Sequence, residues 1–201
     1  MLTEKPVITE KIKERLYPVV LRQFSMKDFH AVNIRDISRE SGISTGTIYK
    51  YFSSKESLCF SIIEEKMRDL SSLLRMHIEG MEDSQEMFRR LFWVTMNFFD
   101  NNPELAVTIF ITVPLKSFMT NKSYKRHAEV DILNEIIERA RIKGAIRSDI
   151  ESSDFVDLYV MIIRRHIQNW YIYGMPWKLA DKINKFFDFF WRAVAPIVPD
   201  R

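Results

Sequence analysis

Polar residues and a glycine occupy one side of a short predicted helix that begins near Thr45. A step of 100° per residue puts Ile48 and Phe52 on the side that faces a core. The opposite side carries Gly46, Thr47, Lys50 and Tyr51. A hydroxyl and an ammonium on such a surface can donate hydrogen bonds to base edges or phosphates, and a glycine lets a backbone come close. The chemistry predicted for this side is contact with the major groove of duplex DNA.

Two short helices joined by a tight turn must position this surface. Asn33 is the predicted N-cap of a helix over residues 34–41, and Gly42 fits the position after its last residue. Ser44 can cap the next helix only two residues later. The apolar residues that face inward from both helices are Ile34, Ile37, Ile43, Ile48 and Phe52. This is the spacing of a helix-turn-helix.

Longer helices are predicted on both sides of this motif. Apolar spacing indicates a first helix over residues 9–26, in which Pro18 predicts either a kink near Glu14 or a start near Tyr17. Ser53 and Ser54 cap a long helix that runs to about Arg75. Five further helices are predicted over residues 85–100, 103–112, 122–143, 153–173 and 177–195. Pro103 and Pro176 fit first turns, and Pro114 should end or bend the helix over 103–112.

Composition agrees with an all-α chain in the cytoplasm. The 201 residues include 15 Phe and 10 Met but only five Gly and seven Pro, which favours long helices over many short strands. The longest run without Asp, Glu, Lys or Arg, His166–Trp177, is too short to span a bilayer, so no membrane partner is expected. Residues 1–56 hold ten Lys and Arg against seven Asp and Glu, an excess that suggests an anionic partner for this part.

Enzymatic and metal chemistry finds little support in the sequence. Cys59 is the single cysteine and fits the apolar pattern of its helix, so a small buried side chain is expected. Histidines stand at positions 30, 77, 127 and 166, far apart and without metal-ligand spacing. No glycine-rich phosphate loop is present. Neither catalytic residues nor a metal site nor a cofactor is therefore expected.

The stretch 34–58, IRDISRESGISTGTIYKYFSSKESL, resembles the DNA-binding domain of the TetR family of transcriptional regulators. Its distinctive parts are the turn at Gly42, the Gly46–Tyr49 core of the recognition helix, and Phe52 with the Ser-Lys-Glu-Ser-Leu opening of the next helix. Asp28 departs from the family, which usually has glycine there; aspartate tolerates left-handed geometry, so the turn is expected to survive. The DNA-binding residues that the resemblance and the helix phase imply are Arg35, Ser44, Thr45, Gly46, Thr47, Tyr49, Lys50, Tyr51 and Lys55.

The resemblance also implies an architecture and a mechanism. Residues 1–56 would form a three-helix DNA-binding domain, joined by a long helix to an effector-binding and dimerisation domain over residues 57–201. The protein would be a homodimer through its last two helices, binding a duplex operator as a repressor that a small apolar or aromatic molecule releases. Candidate effector-binding residues are Trp93, Phe98, Phe110, Tyr159, His166 and Trp170. Two alternatives remain open: a regulator of this fold without small-molecule sensing, and a helical ligand-binding protein or enzyme with a degenerate helix-turn-helix.

Overall fold

A computed structural model describes residues 7–120 and 127–196, and within these ranges the chain is all helical, which confirms the predicted fold class. The helices are α1 Glu10–Met26, α2 Ile34–Ser41, α3 Thr45–Tyr51, α4 Lys55–Ile78, α5 Ser84–Asp100, α6 Pro103–Val107, α7 Leu115–Thr120, α8 His127–Ile142, α9 Ser152–Ile172 and α10 Leu179–Val194. A 3-10 turn occupies Phe29–Ala31, and a π-helical turn follows α6 at Thr108–Thr112. Within the described ranges, no helix is long and apolar enough to cross a bilayer.

The described residues form two compact units. The first contains residues 7–66 and 104–120, and the second contains residues 67–103 and 127–196, so α4 contributes to both. These boundaries show how the described residues pack and do not test which residues bind DNA or an effector. The assignment of DNA binding to residues 1–56 and of effector binding and dimerisation to residues 57–201 stays a prediction about function.

α1 is the packing base of the first unit. Its buried side includes Leu16, Val20 and Phe24, each fully removed from solvent. The helix is continuous through Pro18, so the predicted start near Tyr17 is wrong. Pro18 and Glu14 both lie on the exposed side, where the carbonyl group that loses its hydrogen bond to the proline can face solvent. The buried side of α1 offsets this local cost.

Three local expectations are corrected by the backbone. Asp28 has φ −55°, so no left-handed turn forms there and the chain leaves α1 in extended geometry at Lys27. Pro176 precedes α10, which starts at Leu179 after Lys178. The helix expected over 103–112 is α-helical only to Val107 and then widens into the π-helical turn. The expected helix over 122–143 is described from His127, and residues 122–126 lie outside the described ranges.

Aromatic side chains fill the core of the second unit, mainly between α5 and α10. Phe92 lies 4.9 Å from the ring of Tyr159, 5.9 Å from Phe187 and 5.0 Å from Phe190, measured between ring centroids. Phe88 packs beside Phe155 and Phe190. Burial of each such ring contributes on the order of 2 kcal/mol, so this cluster dominates the packing of the unit.

Candidate nucleic-acid interface

Side-chain caps set the positions of α2 and α3. Asn33 Oδ1 accepts a hydrogen bond from the Arg35 amide at 2.8 Å, and Ser44 Oγ accepts one from the Thr47 amide at 3.1 Å. The hydroxyls of Ser44 and Thr47 also share a hydrogen bond of 2.8 Å. These bonds satisfy amide groups that a helix start leaves unpaired, and both predicted N-caps are confirmed.

Gly42 makes the turn between the two helices possible. Its φ of +66° is left-handed, and a Cβ at this position would lie 2.5 Å from Arg15 Nη2. That guanidinium donates to the carbonyl oxygens of Ser41 and Gly42 at 3.1 and 3.2 Å. Arg15 therefore caps the C-terminal end of α2 from α1, a role for which the sequence contains no local signal.

A second set of contacts holds the outer side of α2 to α1. Glu40 accepts hydrogen bonds from Arg22 and from Gln23, the latter at 2.6 Å. The bond from Gln23, and to a lesser extent the bond from Arg22, lowers the pKa of the Glu40 carboxyl group, because both bonds stabilise its charged form. Exposed contacts of this kind are individually weak, and their effect here is to fix the direction of α2.

α3 presents the predicted polar face to solvent. Ile48 and Phe52 are buried, as expected, whereas Gly46 and Lys50 are exposed and Tyr49 is 56% exposed. Each residue of the predicted DNA-binding set is exposed or half-buried. The ammonium of Lys50 lies 5.8 Å from the centroid of the Tyr51 ring. The face therefore offers a hydroxyl, an ammonium and aromatic edges around a glycine backbone.

An open cleft of about 410 Å³ lies beside the start of α4. Its lining comes from the starts of α2 and α4 and from α3, with His30, Val32, Asn33, Tyr49, Ser53, Ser54 and Lys55 among its members. Ser54 Oγ accepts the Ser57 amide at 3.1 Å and thereby caps α4. Two helix starts with partial positive charge border the cleft, which makes it suited to an anion such as a backbone phosphate.

Lys55 has a second role that the sequence did not indicate. Its Nζ donates to the carbonyl oxygens of His30 at 2.7 Å and Val32 at 2.9 Å. These two bonds tie the 3-10 turn before α2 to the start of α4. Because an ammonium has three N–H bonds, one remains for an anion in the cleft.

The candidate effector-binding residues are divided between the units. Phe110 belongs to the first unit, whereas Trp93, Phe98, Tyr159, His166 and Trp170 belong to the second. Trp93 is 38% exposed and its ring lies against His77, while Phe98 is buried. Their role in effector binding stays a prediction.

The polar groups of the three candidates on α9 all have partners within the second unit. The hydroxyl of Tyr159 shares a 2.6 Å hydrogen bond with that of Thr95. His166 Nε2 lies 3.0 Å from the Leu179 oxygen, and Trp170 Nε1 donates to the Trp177 oxygen at 2.9 Å. Since a carbonyl oxygen only accepts, His166 Nε2 carries the proton. Burial lowers the pKa of His166, although its bond to Leu179 opposes this shift.

Asp100 completes this region and was missed by the sequence analysis. Its carboxylate accepts the amides of Leu179 at 2.6 Å and Ala180 at 2.9 Å, and so caps α10 from the end of α5. Lys178, the residue before α10, makes no side-chain cap bond. An acidic residue at the end of one helix and an uncapped start on another were the only signals available.

Neither metal nor thiol chemistry has a site in the described part of the chain. No group of three or more His, Cys, Asp or Glu side chains there could hold a metal ion. Cys59 is fully buried, as expected, and burial raises the pKa of its thiol far above the ordinary value. A thiolate, the reactive form, is therefore disfavoured at this position.

Comparison with known proteins places the motif in a family. Residues 20–62 match the model of bacterial regulatory proteins, tetR family. An uncharacterised HTH-type transcriptional regulator of Mycobacterium tuberculosis is 26% identical over 106 residues, 53% of this chain and 52% of the relative. The chain thus spans about half the length of this relative. The HTH-type transcriptional repressor NicS of Pseudomonas putida is 28% identical over 149 residues, 70% of this chain and 68% of the repressor.

Solved structures extend the similarity of fold over most of the chain. The transcriptional regulator FadR of Bacillus subtilis, solved in complex with stearoyl-CoA, superposes with a TM-score of 0.80 at 16% identity. The superposition covers 88% of this chain and 96% of FadR. At this identity the likeness establishes the arrangement of helices.

Proposed function

We propose that the chain is a member of the TetR family, whose model its residues 20–62 match, and that it is a cytoplasmic, homodimeric repressor that binds a duplex operator. A small apolar or aromatic molecule releases it. The observation that carries the proposal is the exposed polar face of α3, held by two capped helix starts and a glycine turn. Two such faces in a dimer would enter successive major grooves about 34 Å apart.

The sharpest test of DNA binding uses Gly46. A Cβ at this position would meet nothing closer than Ser44 Oγ at 4.0 Å, so Gly46→Ala causes no clash within the protein and favours the helix. We expect the variant to retain or gain thermal stability yet to bind the promoter region of its own gene at least about tenfold more weakly, because the added methyl obstructs a close approach to DNA.

The matched control is Gly80→Ala, a glycine that also has open space around it but has φ +74° and lies outside the motif. This variant loses some stability through backbone strain and keeps full operator affinity. Fluorescence anisotropy with labelled duplexes measures the operator affinity of both variants, and thermal melts measure their stability. Wild-type operator affinity in Gly46→Ala would contradict a recognition role for this face.

The dimer proposal is supported by α9 and α10. Phe187 and Phe190 are buried within the second unit, but Phe189 is 54% exposed and Met161 of α9 is 59% exposed. Large apolar side chains exposed on two neighbouring helices favour a partner surface. Light scattering at micromolar concentration tests the proposal, and a monomer would contradict it.

The effector proposal rests on the aromatic content of the second unit and on a structural neighbour solved with stearoyl-CoA. One observation favours the alternative, a regulator without small-molecule sensing. The hydroxyl of Tyr159, Nε2 of His166 and Nε1 of Trp170 already have hydrogen-bond partners within the protein. A screen that measures melting temperature and operator affinity together separates the two. Ligands that raise the first and weaken the second support sensing.

A further inference from the structure

We infer that α9 pairs with α9 of a second copy of this chain, antiparallel and centred on Met161, so that Asp157 of each copy faces Arg165 of the other. The inference rests on the proposed homodimer and specifies how the two copies recognise each other. Its evidence is the pattern of exposed side chains along α9.

The exposed stripe of α9 lies opposite its buried side. Tyr159, Ile163, His166 and Trp170 point into the second unit, each at most 8% exposed. Taking Met161 as the centre, the 100° step places the following side chains within 60° of it: Asp154, Asp157, Leu158, Arg164, Arg165, Gln168 and Ile172. This stripe is the surface that α9 offers to a partner.

Charge along the stripe changes sign at Met161. Asp154 and Asp157 precede it, and Arg164 and Arg165 follow it. Among the described residues, neither Asp157 nor Arg165 forms an ion pair or a side-chain hydrogen bond with another part of the chain. Exposed charges elsewhere commonly do, as Arg75 does with Glu135 and Arg147 with Asp149.

The helix dipole does not account for this arrangement. Asp154 lies in the first turn of α9, where an acidic residue favours the helix start. Asp157 and Arg165 lie beyond the first and last turns, where the dipole has little effect. The helix dipole therefore does not explain why these opposite charges lie on either side of Met161.

A two-fold axis through Met161 supplies that partner. In an antiparallel pair, residues four positions before and four after the centre face each other, so Asp157 meets Arg165 of the second copy twice by symmetry. Each pair lies about 6 Å along the helix from the crossing point, close enough for contact at ordinary helix separations. A parallel pair would instead align Asp157 with Asp157 and Arg165 with Arg165, which is repulsive.

Apolar contacts complete the patch. Met161 would meet Met161 of the second copy at the axis, and a flexible thioether packs well against its own copy. Leu158 would lie against the aliphatic part of Arg164 of the second copy. The stripe is thus apolar at its centre and complementary in charge on either side.

Charge reversal tests the register. We expect Asp157→Arg and Arg165→Asp each to raise the dimer dissociation constant at least about tenfold, because each places two like-charged contacts in the interface. The double variant D157R/R165D restores a dimer near wild-type strength, since the pair is only exchanged. Asp131→Arg, the same change at an exposed site on α8, leaves dimerisation unchanged. Sedimentation equilibrium measures the constants, and circular dichroism confirms folding.

Cysteine cross-linking gives an independent result. Because Cys59 is buried and its thiol is protonated, a cysteine placed on the stripe reacts alone. Met161→Cys should form a disulfide between copies under mild oxidation, since Cα atoms at the crossing point come within the 4.4–6.8 Å that a disulfide spans. Ile172→Cys should not, because its two copies would lie about 30 Å apart.

The outcomes separate this inference from the proposed function. A wild-type monomer in solution overturns both the homodimer and the register. A dimer in which Met161→Cys fails to cross-link, or in which the double reversal is no better than the single ones, overturns the register alone. Lys185 is an exposed lysine of α10. Loss of the dimer in Lys185→Asp together with an intact dimer in Arg165→Asp would overturn the register and assign Asp157 to α10 of the second copy instead.

Discussion

Lys50 and Lys55 have the same side chain on adjacent surfaces but different environments. Within the described residues Lys50 has no hydrogen bond and lies beside the Tyr51 ring, whereas Lys55 binds two carbonyl oxygens. Lys50 is thus available to DNA at no cost to the fold. Lys55 must serve the fold first.

Substitution of the two lysines should therefore have separable effects. Lys50→Ala should weaken operator binding, reduce the salt slope by about one unit and leave the melting temperature unchanged. Lys55→Ala should reduce the slope by a similar amount and also lower the melting temperature, because His30 and Val32 lose a charged donor. If Lys55→Ala affects only stability, its phosphate role is wrong. Binding at several salt concentrations and thermal melts decide the matter.

His166 predicts a pH dependence of stability. Its pKa is lowered in the folded protein, so as the pH falls below the ordinary value of about 6.5 the unfolded chain takes up a proton that the folded chain does not. The free energy of unfolding should therefore decrease as the pH falls from about 6.5 to the pKa of His166 in the folded protein. His166→Gln, which keeps a donor for Leu179, should show a smaller loss between pH 7 and 5. Urea titrations of this variant and of the exposed control His77→Gln measure the difference.

At the scale of elements, the start of α10 depends on a residue from another helix. Asp100 supplies the cap that Lys178 does not. Asp100→Ala should lower the free energy of unfolding by about 1–3 kcal/mol, because two amides lose a charged acceptor. Asp181→Ala removes an acidic residue from the first turn of α10 that makes no cap bond, and should cost much less. Equal losses in the two variants would contradict the capping role.

The π-helical turn contains a buried hydroxyl without a hydrogen bond. Thr108 Oγ1 is fully buried and has no partner among the described atoms, whereas the hydroxyl of Thr95, also a buried residue, is bonded to Tyr159. Thr108→Val should therefore be neutral or stabilising, and Thr95→Val should cost about 1–3 kcal/mol. Chemical denaturation of the pair measures this. Comparable losses would mean that Thr108 has a partner after all.

For the whole molecule, the proposed function requires that DNA binding and effector binding are linked by a single coupling free energy. A compound that stabilises the effector-bound state must weaken operator binding by the same factor by which the operator weakens binding of the compound. We expect hits with apolar or aromatic groups, since aliphatic and aromatic side chains fill the core of the second unit. Isothermal titration of a hit with and without operator duplex gives both factors. Thermal stabilisation without any change in DNA affinity would leave a binding site but contradict the regulatory mechanism.

The motif around α2 and α3 could be predicted from the sequence because its determinants are local. Asn33, Gly42 and Ser44 act within three residues of their own positions, through caps and one left-handed turn. The inner positions of Ile48 and Phe52 follow from the helix period alone. Local bonds of this kind leave a readable pattern in a single sequence.

The remaining features were decided by the tertiary structure, because they join residues far apart in the chain. Arg15 caps α2 and Asp100 caps α10 across separations of 27 and 79 residues, which no periodicity can reveal. Pro18 stays within α1 because the buried side of that helix outweighs the lost hydrogen bond. The sequence alone therefore determined most of the helices and the predicted DNA-binding face, and packing decided which side chains hold that face in place.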